Sequence, residues 1–287
     1  MEFEKELTKF FDPDSPDDEW SIVLRHVEDT TQDCWYMERR LGYRDTELGE
    51  IVVPRDKATF TTDLTSVPQL FTWLVPRTGT HLAAALVHDA LTPPHSEKSK
   101  PDWALPERPI TQLQADRVFR SAMADLGTPF LRRWMVWAAV SVPTAWKVSK
   151  LRAFAGYVGL GIIAVLGWFA TLDLFDQGCW LPWMGNAKWT TELLLGGLFA
   201  LLIPLPLALL WPKGTRTAGG IVGIALAALF HVTIAVGAVT FAYQVGEYRW
   251  KVWANPKRGW KILATIGAAA IVVLTYWMFR RYNARYD

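Results

Sequence analysis

The sequence predicts a small α+β N-terminal domain, a short antiparallel sheet with two or three helices, followed by an all-α transmembrane domain of four helices. Two observations carry this expectation. Of the 287 residues, 51% are hydrophobic and 16 are Trp, a high apolar content for a water-soluble chain. The excess is also uneven: charges and turn residues are frequent up to about residue 150, and long apolar runs take over from about 153.

The chain opens on an acidic segment, residues 1–20, in which Glu2, Glu4, Glu6, Asp12, Asp14, Asp17, Asp18 and Glu19 face only Lys5 and Lys9. Pro13 and Pro16 interrupt any helix there, so the expectation is a solvated, flexible arm. The soluble domain follows, over 21–128. Its first part holds short β-leaning runs, Ile22-Val-Leu, Cys34-Trp-Tyr-Met, Ile51-Val-Val and Thr59-Phe-Thr-Thr, bounded by Gly42, Gly49 and Pro54. Such runs between turn residues read as strands.

The pattern turns helical from Thr80. Leu82-Ala-Ala-Ala-Leu-Val supplies strong helix formers, and Thr78 or Thr80 can cap their start. On this helix His81 and His88 share a face, while Asp89 is turned about 100° away from His88. Thr92-Pro-Pro ends it, and the proline-rich stretch 92–110 reads as a loop or flap. A second helix opens at Thr111, with Gln114 three residues on in the capping-box arrangement, and buries Val118, Phe119, Ala122 and Met123. Asp116 lies at the margin of that apolar stripe.

Residues 129–151 mix Trp134, Trp137 and Trp146 with Arg132, Arg133, Lys147 and Lys150. This is the composition of a helix lying at a bilayer surface, aromatic rings at headgroup depth and cations toward phosphate. Pro143 places a bend inside it. The membrane domain, 152–287, then offers four spans at about 153–175, 191–211, 219–243 and 262–279. Each is close to the roughly 20 residues a helix needs to cross hydrocarbon. Gly219, Gly223 and Gly267 permit close helix approach, within a bundle or a homo-oligomer.

Lys and Arg counts favour both termini in the cytoplasm of a cell with the domain in its inner membrane, although the loop 244–261 is unusually basic for an outer loop. Asp173 and Glu192 fall near span ends, where they reach water. His231 falls near the middle of the third span, either as a proton-carrying group or bonded to a neighbouring helix. The lipid bilayer is thus the first partner implied. A formal net charge of +2 gives no reason to expect nucleic acid. Cys34 and Cys179, the two cysteines, fall on opposite sides of the domain boundary and imply no disulfide framework. The charged start, Met1-Glu-Phe-Glu-Lys-Glu, does not read as a signal peptide.

Asp63, Ser66, His88, Asp89 and Asp116 are the candidate site. They sit amid apolar residues that pull them toward a core, where polar groups need partners. His88, Asp89 and Asp116 supply the donor types to hold a divalent metal, with Asp63 or Asp116 orienting water and Ser66 contacting substrate, which would make a metal-dependent hydrolase. The same residues also suit a purely structural role: Asp63 before Thr65 and Ser66 is a turn-capping sequence, and His88 bonded to Asp116 would pin two helices.

The blocks Asp63-Leu-Thr-Ser-Val-Pro, Trp73-Leu-Val-Pro, Ala84-Ala-Leu-Val-His-Asp-Ala-Leu, Ala115-Asp-Arg-Val-Phe-Arg-Ser-Ala-Met and Arg133-Trp-Met-Val-Trp-Ala-Ala-Val occur in that order. Together they resemble the phage and bacterial domain of unknown function numbered 1353, over about residues 50–141. That resemblance implies a small domain found in phage and prophage genomes, with no reaction to carry over. It leaves two roles open: a membrane-anchored, phage-associated hydrolase, or a sensor or docking domain coupled to a membrane effector in phage defence or exclusion, with a phage or cell-envelope component as partner.

Overall fold

The computed structural model describes residues 9–15, 18–26, 35–58, 60–62, 64, 78–92, 104, 110–175, 178–184 and 188–252. Two compact units are present, one formed by Met1–Gly159 with Leu205–Gly223, the other by Leu160–Pro204 with Ile224–Asp287.

Among its described residues the first unit holds two three-stranded antiparallel sheets where the sequence suggested one. The first sheet runs in the order β1 (Phe10–Phe11), β4 (Leu41–Asp45), β5 (Gly49–Val53); the second runs β2 (Leu24–His26), β3 (Trp35–Met37), β6 (Thr61–Thr62). The β4–β5 hairpin is set by its turn. Asp45 Oδ1 accepts from the backbone N–H of Glu47 (3.2 Å) and of Leu48 (2.9 Å), and Gly49 closes the loop at φ 74°, where a residue without Cβ is unstrained.

Strand β1 corrects the expectation of a wholly solvated arm over 1–20. Phe10 pairs with Tyr43 and Phe11 with Gly42; Phe10 is buried against the Trp20 and Tyr43 rings. The acids around it remain compatible with a strand because they face turns and cations. Asp12, although buried, accepts from the N–H groups of Asp14 and Ser15 and pairs with Arg39.

Helix α1 (Leu82–Leu91) is buried nearly all round and packs on β4, β5 and α2. A helix with no polar face belongs in the middle of a domain, and its run of alanines lets its neighbours approach. Its N-cap is His81 without a side-chain cap bond, not Thr78 or Thr80; Thr80 shares a hydrogen bond with Thr128 instead. Helix α2 (Gln112–Asp125) begins with the expected capping box: Gln114 N–H donates to Thr111 Oγ1, and Thr111 N–H donates to Gln114 Oε1 at 2.9 Å.

Helix α3 (Phe130–Val148), with Pro143 inside it, packs on α2 and buries Val136, Trp137, Ala138, Val142 and Ala145. One face is therefore core. Phe130, Leu131 and Trp146 are exposed. Within the same unit, Trp211 is fully buried between two glycines: a Cβ at Gly156 or at Gly219 would collide with its indole, and Tyr157 lies 5.2 Å from the ring.

Among the described residues, three helical segments are long and apolar enough to cross a membrane, Lys150–Asp173, Trp189–Leu210 and Arg216–Val245. The first is α4 (Lys150–Leu174). The second is broken at Pro204 as the sequence suggested, into α5 (Trp189–Leu202), α6 (Pro204–Leu207) and a 3₁₀ turn over Ala208–Leu210. The third belongs to α7 (Arg216–Val252), longer than the expected 219–243. The fourth expected span, 262–279, lies outside the described residues. Asp173 and Glu192 do not reach water as expected; both are buried. Asp173 accepts from the backbone N–H groups of Trp180 (2.8 Å) and Leu181 (2.9 Å) and so folds the chain leaving α4. His231 is exposed on α7.

Candidate functional site

The three described members of the predicted site lie on α1 and α2. Two of them meet. His88 Nε2–H donates to Asp116 Oδ1 at 2.9 Å, and the hydroxyl of Thr144 on α3 donates to Asp116 Oδ2 at 2.8 Å. All three residues are buried. The imidazole also lies 5.0 Å from the Phe119 ring. One carboxylate therefore joins three helices, and each of its oxygens already has a donor.

Asp89 does not join them. One residue along α1 it faces the second sheet, where Thr62 Oγ1 donates to its Oδ2 at 2.7 Å. The distance in angle between neighbouring helix positions, about 100°, makes this separation unavoidable. Among the described residues no group of three or more His, Cys, Asp or Glu is placed to hold a metal. Asp63 and Ser66 lie outside the described residues, as does most of the 92–110 flap.

A second polar cluster was not anticipated. Arg117 grips the buried Asp45 with two N–H groups, at 2.7 and 3.2 Å, and reaches Glu47 at 3.4 Å, fastening the β4–β5 turn to α2. Nearby, the Tyr43 hydroxyl donates to Asp125 (2.7 Å), which also pairs with Lys9; burial, then Asp125, raises the phenol well above its ordinary range. Asp45 and Arg117 are 72 positions apart, and no local pattern announces such a pair.

Burial works to raise the Asp45 carboxyl, but the Arg117 hydrogen bond and the turn N–H groups outweigh it and leave its pKa below the ordinary 3.8. A depressed folded-state pKa means a stabilising contribution that is complete above 3.8 and is lost as pH falls below it. The melting temperature of the full chain is expected to drop over that acid range. The drop attributable to this pair is expected to be smaller in Arg117→Gln, as a pH series of melting curves on the two proteins will show.

Residues 35–140 match the model of a family described as "Protein of unknown function (DUF1353)". The chain carries a DUF1353 domain. The match takes in β3 to β6, α1, α2 and the first part of α3, so His88, Asp89 and Asp116 lie inside the DUF1353 domain, while β1, β2 and Thr144 lie outside the matched residues. No curated protein and no solved structure was found to match the chain.

Outside the domain the described cavity is small and apolar. A half-open cleft of about 50 Å³ is lined by Leu166, Gly167, Leu181, Phe199, Ala200 and Ala227, among others, from α4, α5, α7 and the loop after α4. Ligand pockets are several times larger and carry convergent polar groups, so this space offers no site.

Proposed function

We propose that this is a multi-pass membrane protein whose DUF1353 domain is a non-enzymatic docking or sensor module, coupled to an effector formed by its spans. The inner membrane with the domain on its cytoplasmic face is the location that the balance of Lys and Arg favours. A role in phage defence or exclusion, and assembly of several copies through the small-residue spans, belong to the same reading. The observation that carries it is the closure of the Asp116 carboxylate. Its two oxygens accept from His88 and Thr144 inside the core, and Asp89, the other carboxylate offered as a ligand, is held by Thr62. Buried, pairwise-satisfied groups of this kind fix helices against one another; a hydrolytic centre needs its donors convergent on a space that substrate and water can enter.

The test is thermal melting of the full-length protein in detergent with a chelator, then with Mg²⁺, Mn²⁺ or Zn²⁺. A metal held by the native state alone at about 100 times its Kd would add about 2.7 kcal/mol of stability. The expected result is the same melting temperature throughout. A metal-dependent rise that His88→Gln abolishes would return the hydrolase reading.

A further inference from the structure

We infer that Arg120 and Arg133, at the aromatic corner of α3, form a site for the phosphate of an anionic lipid headgroup. The inference rests on the membrane attachment proposed above, not on the docking role.

Three features of unit one converge here. The guanidinium of Arg120, on α2, sits 4.6 Å from the Trp134 ring and 4.7 Å from the Trp137 ring. Those two indoles stand edge to face, 5.3 Å apart at 88°. A flat cation held in that corner loses little further freedom when it binds an anion, and a guanidinium matches phosphate with paired N–H groups. Arg133, one turn along from the start of α3, stacks near Phe130 at 5.6 Å.

The cluster also has charge and donors left over. The acids on α2 are taken elsewhere, Asp116 by His88 and Thr144, and Asp125 by Tyr43 and Lys9. Arg117 is occupied by Asp45 and Glu47. Arg120 and Arg133 have no ion pair among the described residues. The indole N–H groups of Trp134 and Trp137 are buried and likewise find no acceptor there. Burial, with Arg133 and Arg117 as like-charged neighbours, lowers the pKa of Arg120, a cost that an anion would relieve.

The third feature selects a membrane as the source of that anion. Phe130 and Leu131, at the start of the same helix, are 69% and 70% exposed. Exposed aromatic and aliphatic side chains beside unpaired arginines suit the boundary where acyl chains meet headgroups. An anionic leaflet attracts each such basic residue by about 1 kcal/mol. A dissolved phosphate would make no use of Phe130 or Leu131.

The experiment compares the full-length protein in nanodiscs of phosphatidylcholine with the same protein in discs containing phosphatidylglycerol. A rise in melting temperature on the order of 5 °C is expected in the anionic discs, the size that a ligand well above its Kd gives a chain of this length. Arg120→Gln with Arg133→Gln is expected to remove the rise, and Arg25→Gln on β2, equal in charge lost per site, to keep it. Arg133→Gln alone serves the same purpose without removing the guanidinium held in the indole corner, should the first pair not fold. Inorganic phosphate added to phosphatidylcholine discs is expected to give no rise. Equal melting in both discs, a rise that survives the arginine substitutions, or one that free phosphate reproduces would overturn the site. Failure of the chain to enter either disc would overturn the membrane reading and this inference with it.

Discussion

Asp116→Ala is expected to destabilise the full-length protein by about 2–5 kcal/mol, the cost of leaving two buried donors without an acceptor. His88 Nε2–H and the Thr144 hydroxyl both donate to this carboxylate from inside the core, and among the described residues neither donor has another acceptor. Asp116→Asn is expected to lose less, because its carbonyl keeps one donor while its NH₂ confronts the other. Thr144→Val, which preserves shape and removes one donor, leaves one carboxylate oxygen unpaired and is expected to cost about 1–3 kcal/mol. Melting of the purified chain in detergent gives the order directly: Asp116→Ala lowest, the two milder variants between it and wild type. A flat series would mean that the three helices are held by their apolar contacts alone.

Trp211→Ala is expected to have an effect of similar size, about 3–5 kcal/mol, by the usual cost of emptying a large aromatic site. The ring is 2% exposed and fits where Gly156 and Gly219 carry no side chain. An alanine at 211 leaves those glycines facing a void that neither can fill. The converse change makes the same argument from the other side: Gly219→Val drives a branched side chain into the indole, and overpacking of that kind costs about 1–3 kcal/mol. Placing Gly219→Val in the Trp211→Ala background is expected to recover part of the loss, since the added methyls occupy the vacated space. Melting temperatures of the three variants check it, and a double variant no better than the worse single one would refute the packing account.

The parts of this protein that follow from local chemistry were readable from its sequence. Thr111 and Gln114 specify the start of α2 because a capping box needs only two residues three apart. The long apolar helices at α4, at Trp189–Leu210 and at α7 announce themselves because an unbroken apolar length of this kind, the length a bilayer crossing would need, is visible in the sequence alone. Leu82-Ala-Ala-Ala marks α1 because alanine costs least in a helix.

What was not readable depends on distant partners. Phe10–Phe11 is too short to signal a strand amid acids, and it exists because β4 offers an edge to pair with. Strand β4 itself was masked by Gly42 and Arg44, residues whose strand propensity is poor or neutral when taken alone. His88 and Asp116 were legible as a pair on two helices. Thr144 was not, because its role comes from α3 turning a face with Thr144 on it toward α2, 28 positions after Asp116. Asp89, adjacent to His88 in sequence, looked like its companion and is instead a companion of Thr62.

One buried carboxylate ties α1 and α2 of the DUF1353 domain together, and a double-mutant cycle on His88 and Asp116 tests this most directly. Melting of wild type, His88→Ala, Asp116→Ala and the double variant is predicted to give a coupling on the order of 1–3 kcal/mol, the double variant losing much less than the two singles combined. Losses that simply add would contradict it, because two groups that support one another cannot be removed independently.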